Sequence, residues 1–240
     1  MRVYIDLNVE MGLFLKNPVS KVAYEIRKSG FNGLALSASP GTDIKDLNSI
    51  KEKIRGYGLD VALRVNFEPR NRLELLKFLR KNRMRFEVIG VKPLTNELAT
   101  LSARDRRVDL LYYDFNNWKI TFRESTAHVC TSALEVPIRP LIASSTQGSI
   151  HALLTRLRKE VEVALEHDIP VVITSAARGL SEIRAARDMA ALARCLGLKE
   201  RNSLDVVSKN PMEIISRNRL KLNRKYVMEG IQLDLGGTQP

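Results

Sequence analysis

Arg178, Arg184 and Arg187 are the side chains in this sequence best placed by type and spacing to hold a ligand. A planar guanidinium fork grips phosphate oxygens in pairs. Pro170 and the β-branched run Val171-Val172-Ile173-Thr174 read as a strand buried on both faces. Ser175-Ala176-Ala177 and Arg178-Gly179-Leu180 carry the chain round to Ser181, a suitable N-cap, with Glu182 in the first turn. From Ile183 the apolar positions Ile183, Ala186, Met189, Ala190 and Ala193 recur at helical spacing. Arg184 and Arg187, three apart, then point in neighbouring directions, with Arg178 just upstream. Backbone N–H groups and guanidinium groups gathered at a strand-loop-helix junction suit phosphate.

Residues for other chemistry are sparse. The three histidines, His128, His151 and His167, form no His-x-His pair and no i, i+4 pair, so they read as ordinary helix or helix-end residues and no metal site is expected. In Ile5-Asp6-Leu7-Asn8-Val9-Glu10, Asn8 and Glu10 stand near where barrel-type phosphoesterases place metal-binding histidines. Asp6 and Asp109 could pair as carboxylates at one rim, although neutralising Arg64 or Arg107 there is the favoured reading. Ser175 has no sequence-near base, and no Walker-type or dinucleotide-type glycine loop appears. No catalytic residue is assigned.

Charge narrows the ligand class. Lys and Arg total 39 against 27 Asp and Glu, a net charge of +12 with a pI near 9.9, the footprint of a polyanion binder. Aromatic residues make up only 6%, which disfavours a stacking platform for single strands and favours reading phosphates and shape in folded nucleic acid. Basic runs occur at Lys77, Arg80, Lys81, Arg83 and Arg85, at Arg104, Arg106 and Arg107, and at Arg217, Arg219, Lys221, Arg224 and Lys225. No apolar run is long enough to span a bilayer and the start lacks a signal-peptide pattern. Cys130 and Cys195 read as reduced thiols, and a cytoplasmic location is expected.

The elements that must position these residues alternate. Strands are expected at Val3–Leu7, Phe31–Ser37, Leu59–Val65, Phe86–Gly90, Val108–Tyr112, Ser132–Pro137 and Val171–Thr174, with a short eighth at Leu204–Val207. Helices intervene, and a last one begins near Pro211. The irregular patch from Asp114 to Phe122 holds the only tryptophan, Trp118. This pattern predicts an α/β fold: a single TIM-barrel-like (β/α) domain over 1–228 with seven or eight mostly parallel strands, a doubly wound open sheet being second. The tail 229–240 is expected to be mobile.

Several separated stretches together carry a resemblance. They are Tyr4-Ile5-Asp6-Leu7, Arg107-Val108-Asp109-Leu110-Leu111, Leu134-Glu135-Val136 with the following Arg-Pro-Leu-Ile, Ile173-Thr174-Ser175-Ala176-Ala177, Ile183-Arg184-Ala185-Ala186-Arg187-Asp188, and Asn210-Pro211 to Asn218. In this order the chain resembles the archaeal ribonuclease P protein component 3 family, to which a eukaryotic subunit is related. The resemblance implies a barrel related to the polymerase and histidinol phosphatase (PHP) phosphoesterases, without metalloenzyme activity. It implies a non-catalytic subunit of ribonuclease P, which removes the 5′ leader from precursor tRNA. The catalytic RNA would perform the Mg²⁺-dependent cleavage, and this chain, binding no cofactor itself, would help position that RNA together with protein component 2. The RNA-contact candidates are Arg107, Arg178, Arg184 and Arg187, with Arg64 and Lys92 added. Family members often carry an extra glycine in the loop where Ala177-Arg178 stands here, which separates Arg178 from the other candidates.

Two other functions compete. A barrel hydrolase could bind a phosphorylated small molecule through Arg184 and Arg187, although a small substrate does not require the cationic excess. A scaffold could use its charge to hold an acidic protein.

Overall fold

The computed structural model describes residues 2–143, 147–223, 226–228 and 231–232. Seven parallel strands follow one another around a single sheet: β1 (Ile5–Glu10), β2 (Gly33–Ala38), β3 (Asp60–Phe67), β4 (Val88–Val91), β5 (Leu110–Leu111), β6 (Ala133–Pro137) and β7 (Val171–Thr174). Every neighbouring pair is parallel, and the strands are almost wholly buried, so helices must cover the sheet. The covering helices are α1 (Met11–Lys16) and α2 (Val19–Lys28), then α3 (Ile44–Arg55), α4 (Arg72–Asn82), α5 (Asn96–Arg104) and α6 (Glu124–Ala127). After them come α7 (Arg139–Ala143), α8 (Gln147–Glu166), α9 (Ala186–Cys195), α10 (Glu200–Ser203) and α11 (Lys209–Leu222). Side-chain caps start three of these helices: Asp43 for α3, Asn71 for α4 and Thr95 for α5.

The sheet curls until β1 reaches β7. Val9 bridges Ala177, and the Glu10 N–H donates to the Ala177 carbonyl at 3.0 Å. The barrel therefore closes on seven strands. The segment Leu204–Val207, expected as an eighth, is a 3₁₀ turn at Asp205–Val207 because no open edge remains to receive it. The helix that follows, α11, crosses the open lower end instead. Its Ile214 and Ile215 pack inside the barrel with Ile5, Leu7, Ala35, Ala62, Val88, Leu110, Ala133 and Val172. Alanines at three of these positions make room for the two isoleucines. A ribbon of β8 (Tyr226–Met228) and β9 (Ile231–Gln232) follows; Arg224, Lys225 and most of the expected tail lie outside the described residues.

Above that apolar layer the interior is polar. Arg64 on β3 has no exposed surface and forms an ion pair with Glu135 of β6 across the barrel. Its guanidinium also donates to the Leu7 carbonyl at 2.8 Å and to Asn66 Oδ1 at 2.8 Å. Glu135 accepts from Asn8 at 3.0 Å and from the Thr174 hydroxyl at 2.7 Å. Gly90 on β4 leaves space for this group, since a Cβ there would lie 2.7 Å from an Arg64 nitrogen. At the seam, Asp6 Oδ1 accepts from the backbone N–H groups of Asn8 and Ser175, both at 3.1 Å.

Burial raises the Asp6 carboxyl from 3.8 to about 6, against hydrogen bonds from Ser175 and Asn8 that pull it down. Between about pH 4 and 6 the folded chain thus holds a proton that the unfolded chain has released. Its stability falls as pH rises through that window, by up to roughly 3 kcal/mol. Asp6→Asn retains an acceptor oxygen and removes this dependence. Relative to wild type, the variant should gain stability between pH 4 and pH 7 in urea unfolding; a difference that does not change with pH would contradict the assignment. For the buried pair, Arg64→Met strands the Glu135 carboxylate and is expected to lower stability by about 3–5 kcal/mol. Arg64→Met with Glu135→Gln should recover much of that loss.

Candidate functional site

Strand direction divides the molecule into two faces. The C-terminal ends of the strands open into a mouth of about 1320 Å³, lined by Glu10, Glu68, Arg70, Lys92, Tyr112, Asp114, Trp118, Arg139 and Arg178, among others. Buried Asn8 Oδ1 and Ser37 Oγ, which have no partner among the described residues, lie on its polar side. The irregular segment expected at 114–122 forms one wall and is ordered by Arg156 of α8. That side chain donates to the carbonyls of Asp114, Asn117 and Ile120, pairs with Glu160 at 2.9 Å, and lies under Phe115 and Trp118. Trp118 itself stays half exposed at the mouth.

The junction expected to cradle phosphate is occupied by the chain's own carboxylate. Glu182 Oε2 accepts from the N–H groups of Arg178 at 2.7 Å and Gly179 at 3.3 Å, and its other oxygen takes Arg139 at 3.2 Å. Ser181 is not an N-cap: Leu180–Glu182 is a 3₁₀ turn, Ile183 to Ala185 is extended, and α9 starts at Ala186 without a side-chain cap. Arg184 and Arg187 consequently do not share a helix face. Arg184 folds back on the carbonyls of Ser181 and Ile183 at 2.6 and 2.9 Å rather than meeting Asp188. Arg187 is exposed and has no partner among the described residues. Ala176, at φ 50°, adopts the left-handed backbone in this loop.

The six sequence-expected RNA contacts are not brought together. Arg178, Arg184, Arg187 and Lys92 stand at the C-terminal face, where Arg178 pairs with Glu10 at 2.5 Å and Lys92 with Glu68 at 2.8 Å. Arg107 lies before β5 at the opposite face, paired with Asp105 at 2.6 Å. Arg64 is sealed in the barrel and has no surface to offer. Asp6 and Asp109 do not pair either, and neither takes Arg64 or Arg107. Asp109 meets Arg83 at 2.6 Å, Arg217 at 3.2 Å and Asn218 at 2.7 Å.

The opposite, N-terminal face has a different electrostatic organisation. Because the helices run antiparallel to the strands, their last turns reach this face, and these carry Lys28, Lys53, Arg80, Lys81 and Arg104. Arg85 and Arg106 follow in the connections to β4 and β5. All seven are exposed and without a carboxylate partner among the described residues. Three acids of this face, Asp60, Glu87 and Asp109, are held by α11 and its neighbours. Arg219 takes Asp60 at 2.8 Å and Glu87 at 2.8 Å, and Lys51 also takes Glu87 at 3.1 Å. The Arg219 guanidinium holds the Asp60 carboxyl below its usual range. Helix dipoles favour cations in last turns, but they do not account for Arg85 and Arg106. The seven unpaired cations form a collar around the ends of α2 to α5. The run at Arg217 and Arg219 serves to fasten α11, not to extend that collar.

Sequence reasoning missed a further grouping, Glu124, His128 and His167, whose ligand atoms lie within 4.8 Å of one another. A Glu-x-x-x-His spacing was its only local signal.

Replacing Ala176 by glycine relieves the left-handed backbone and is expected to stabilise the chain by about 1 kcal/mol in denaturant unfolding; unchanged or lower stability would mean the loop is held by its methyl contacts.

Comparisons with known proteins agree with this architecture. A ribonuclease P protein component 3 of Methanosarcina mazei is 26% identical over 220 residues, covering 90% of each chain. Its counterpart from Methanococcoides burtonii is 24% identical over 238 residues, covering 97% of this chain and 94% of its own length. Among solved structures, a chain in the cryo-EM structure of archaeal ribonuclease P with mature tRNA matches with a TM-score of 0.83 at 16% identity, covering 98% of this chain and 100% of that one. A family model described as RNase P subunit p30 matches residues 3–223, so the chain belongs to the RNase P subunit p30 family.

Proposed function

We propose that this chain is a non-catalytic subunit of ribonuclease P that binds the catalytic RNA through the N-terminal face of its barrel. The collar formed by Arg80, Lys81, Arg85, Arg104 and Arg106, with Lys28 and Lys53, is the observation that carries the reading. Cations spread over the ends of several helices suit the phosphates of a folded RNA, which presents its backbone over a broad surface. The buried acids favour a structural part: Glu135 is bound by Arg64, Asn8 and Thr174, and Asp6 by two backbone N–H groups. In this reading the partner RNA uses Mg²⁺ for cleavage of precursor tRNA, and protein component 2 joins this chain on the RNA. The mouth, rich in paired acids and bases, is then free for a protein or for tRNA. No helix among the described residues is long and apolar enough to cross a membrane.

The test combines cleavage with binding. Precursor-tRNA cleavage by the catalytic RNA at limiting Mg²⁺, with protein component 2 present, is expected to be stimulated by the wild-type chain. A variant with Arg80, Lys81, Arg85, Arg104 and Arg106 replaced by alanine should lose that stimulation while remaining folded. Its dependence of log K on log salt should become shallower by about 3.5–4.5 if all five meet phosphates. Arg178→Ala with Arg187→Ala should leave the slope near wild type. The reverse pattern would move the RNA surface to the barrel mouth, and an unchanged slope in both variants would remove the RNA-binding reading.

A further inference from the structure

At the rim of the N-terminal face, where α6 and α8 end, three side chains with metal-ligating atoms converge on the outside of the barrel. Glu124 opens α6, and His128 is its C-cap, still in helical conformation at φ −52° and ψ −25°. The His128 N–H donates to the Glu124 carbonyl at 3.0 Å, so the helical register that sets an i, i+4 pair on one face is kept. The third member, His167, directly follows α8. There the chain reverses through Asp168 at φ 54°, with the Ile169 N–H donating to the Ala164 carbonyl at 2.8 Å. This reversal fixes His167 against α6. His167 Nε2 lies 2.5 Å from Glu124 Oε2, and the His128 and His167 rings cross at 80° with centroids 4.6 Å apart.

We propose that Glu124, His128 and His167 bind one transition-metal ion of the zinc class, clipping α6 to the end of α8. One candidate ligand atom from each residue lies within 4.8 Å of the other two. Bonds of about 2.0–2.2 Å to a tetrahedral ion would place such atoms roughly 3.3–3.5 Å apart. Side-chain rotation covers the difference, because Glu124 is exposed and His167 is not enclosed. Two imidazoles and one carboxylate suit Zn²⁺, Co²⁺ or Ni²⁺ and discriminate against Mg²⁺ and Ca²⁺, which prefer all-oxygen ligands. One carboxylate partly offsets the ion's charge, and the remaining position is open to water. The helix joined in this way is only four residues long, shorter than isolated helix formation supports. This inference is independent of the RNA reading.

The experiment uses the untagged full-length chain, stripped with a chelator and then titrated with Co²⁺ and Zn²⁺. Calorimetry should give one Zn²⁺ per chain, and Co²⁺ should develop visible bands that Zn²⁺ displaces. His128→Ala and His167→Ala should each weaken binding at least about tenfold, as should the isosteric Glu124→Gln. His151→Ala, on α8 but outside the cluster, should bind like wild type. Zn²⁺ should raise the thermal midpoint of wild type and not that of the His128→Ala chain. Circular dichroism establishes that each variant is folded; if only the histidine variants unfold, Glu124→Gln decides. Absence of one-to-one uptake at micromolar metal, or uptake that none of the three substitutions alters, would overturn the site and leave a His167–Glu124 hydrogen-bonded pair in its place.

Discussion

The closed barrel depends on one ion pair that crosses it. Arg64 and Glu135 come from β3 and β6, on different sides of the sheet, and meet where neither has any contact with solvent. Burying two charges is costly, and Coulomb attraction offsets that cost only when the remaining lone pairs and N–H groups are also satisfied. Here they are: Leu7, Asn66, Asn8 and Thr174 complete the network, so two strands besides the two that carry the charges, β1 and β7, are drawn to a common point. The absence of a Cβ at Gly90 is part of the same arrangement. An apolar layer capped by Ile214 and Ile215 lies beneath it, and the open mouth lies above. The interior is thus a sequence of layers, and its polar layer is used for assembly.

A second consequence concerns charge. The excess of +12 is not spread evenly in its effects. On the C-terminal face, Lys92, Arg139 and Arg178 each face a carboxylate. At the N-terminal face, Asp60, Glu87 and Asp109 are neutralised by Arg219, Lys51, Arg83 and Arg217, leaving the helix-end cations unpaired among the described residues. α11 therefore acts twice, filling the barrel with its apolar side and quenching the acids beneath the collar with its arginines.

Much of the architecture was legible because it rests on local patterns. The run Val171-Val172-Ile173-Thr174 after Pro170 marked a strand, and the alternation of such runs with helical spacing marked the parallel sheet. What escaped was set by distant partners. The eighth strand failed because closure of seven removes its edge, a property of the whole sheet. The phosphate cradle failed because Glu182, read as a helix-start acid, curls back onto the N–H groups of Arg178 and Gly179. Arg64, read as a rim partner for Asp6 or Asp109 and as an RNA contact, is instead taken by Glu135, 71 positions away. The basic runs were visible, but only strand and helix direction sorts them onto faces, and only the ion pairs show which are already spent. The Glu124, His128 and His167 cluster needed two helix ends from separate units to meet.

The plug through which α11 seals the barrel has a temporal meaning. Its Arg219 holds Asp60 across 159 positions, and its Asn218 holds Asp109 across 109. During synthesis β1 to β7 emerge well before Ile214 and Ile215, so the lower mouth of the barrel stays open and its apolar lining wet until α11 arrives. Contacts this distant in sequence slow folding, and an incompletely floored barrel exposes the kind of surface that chains associate through. Completion of the interior and quenching of Asp60, Glu87 and Asp109 then occur in one late event, so the positive collar reaches its full strength only once the chain is properly folded.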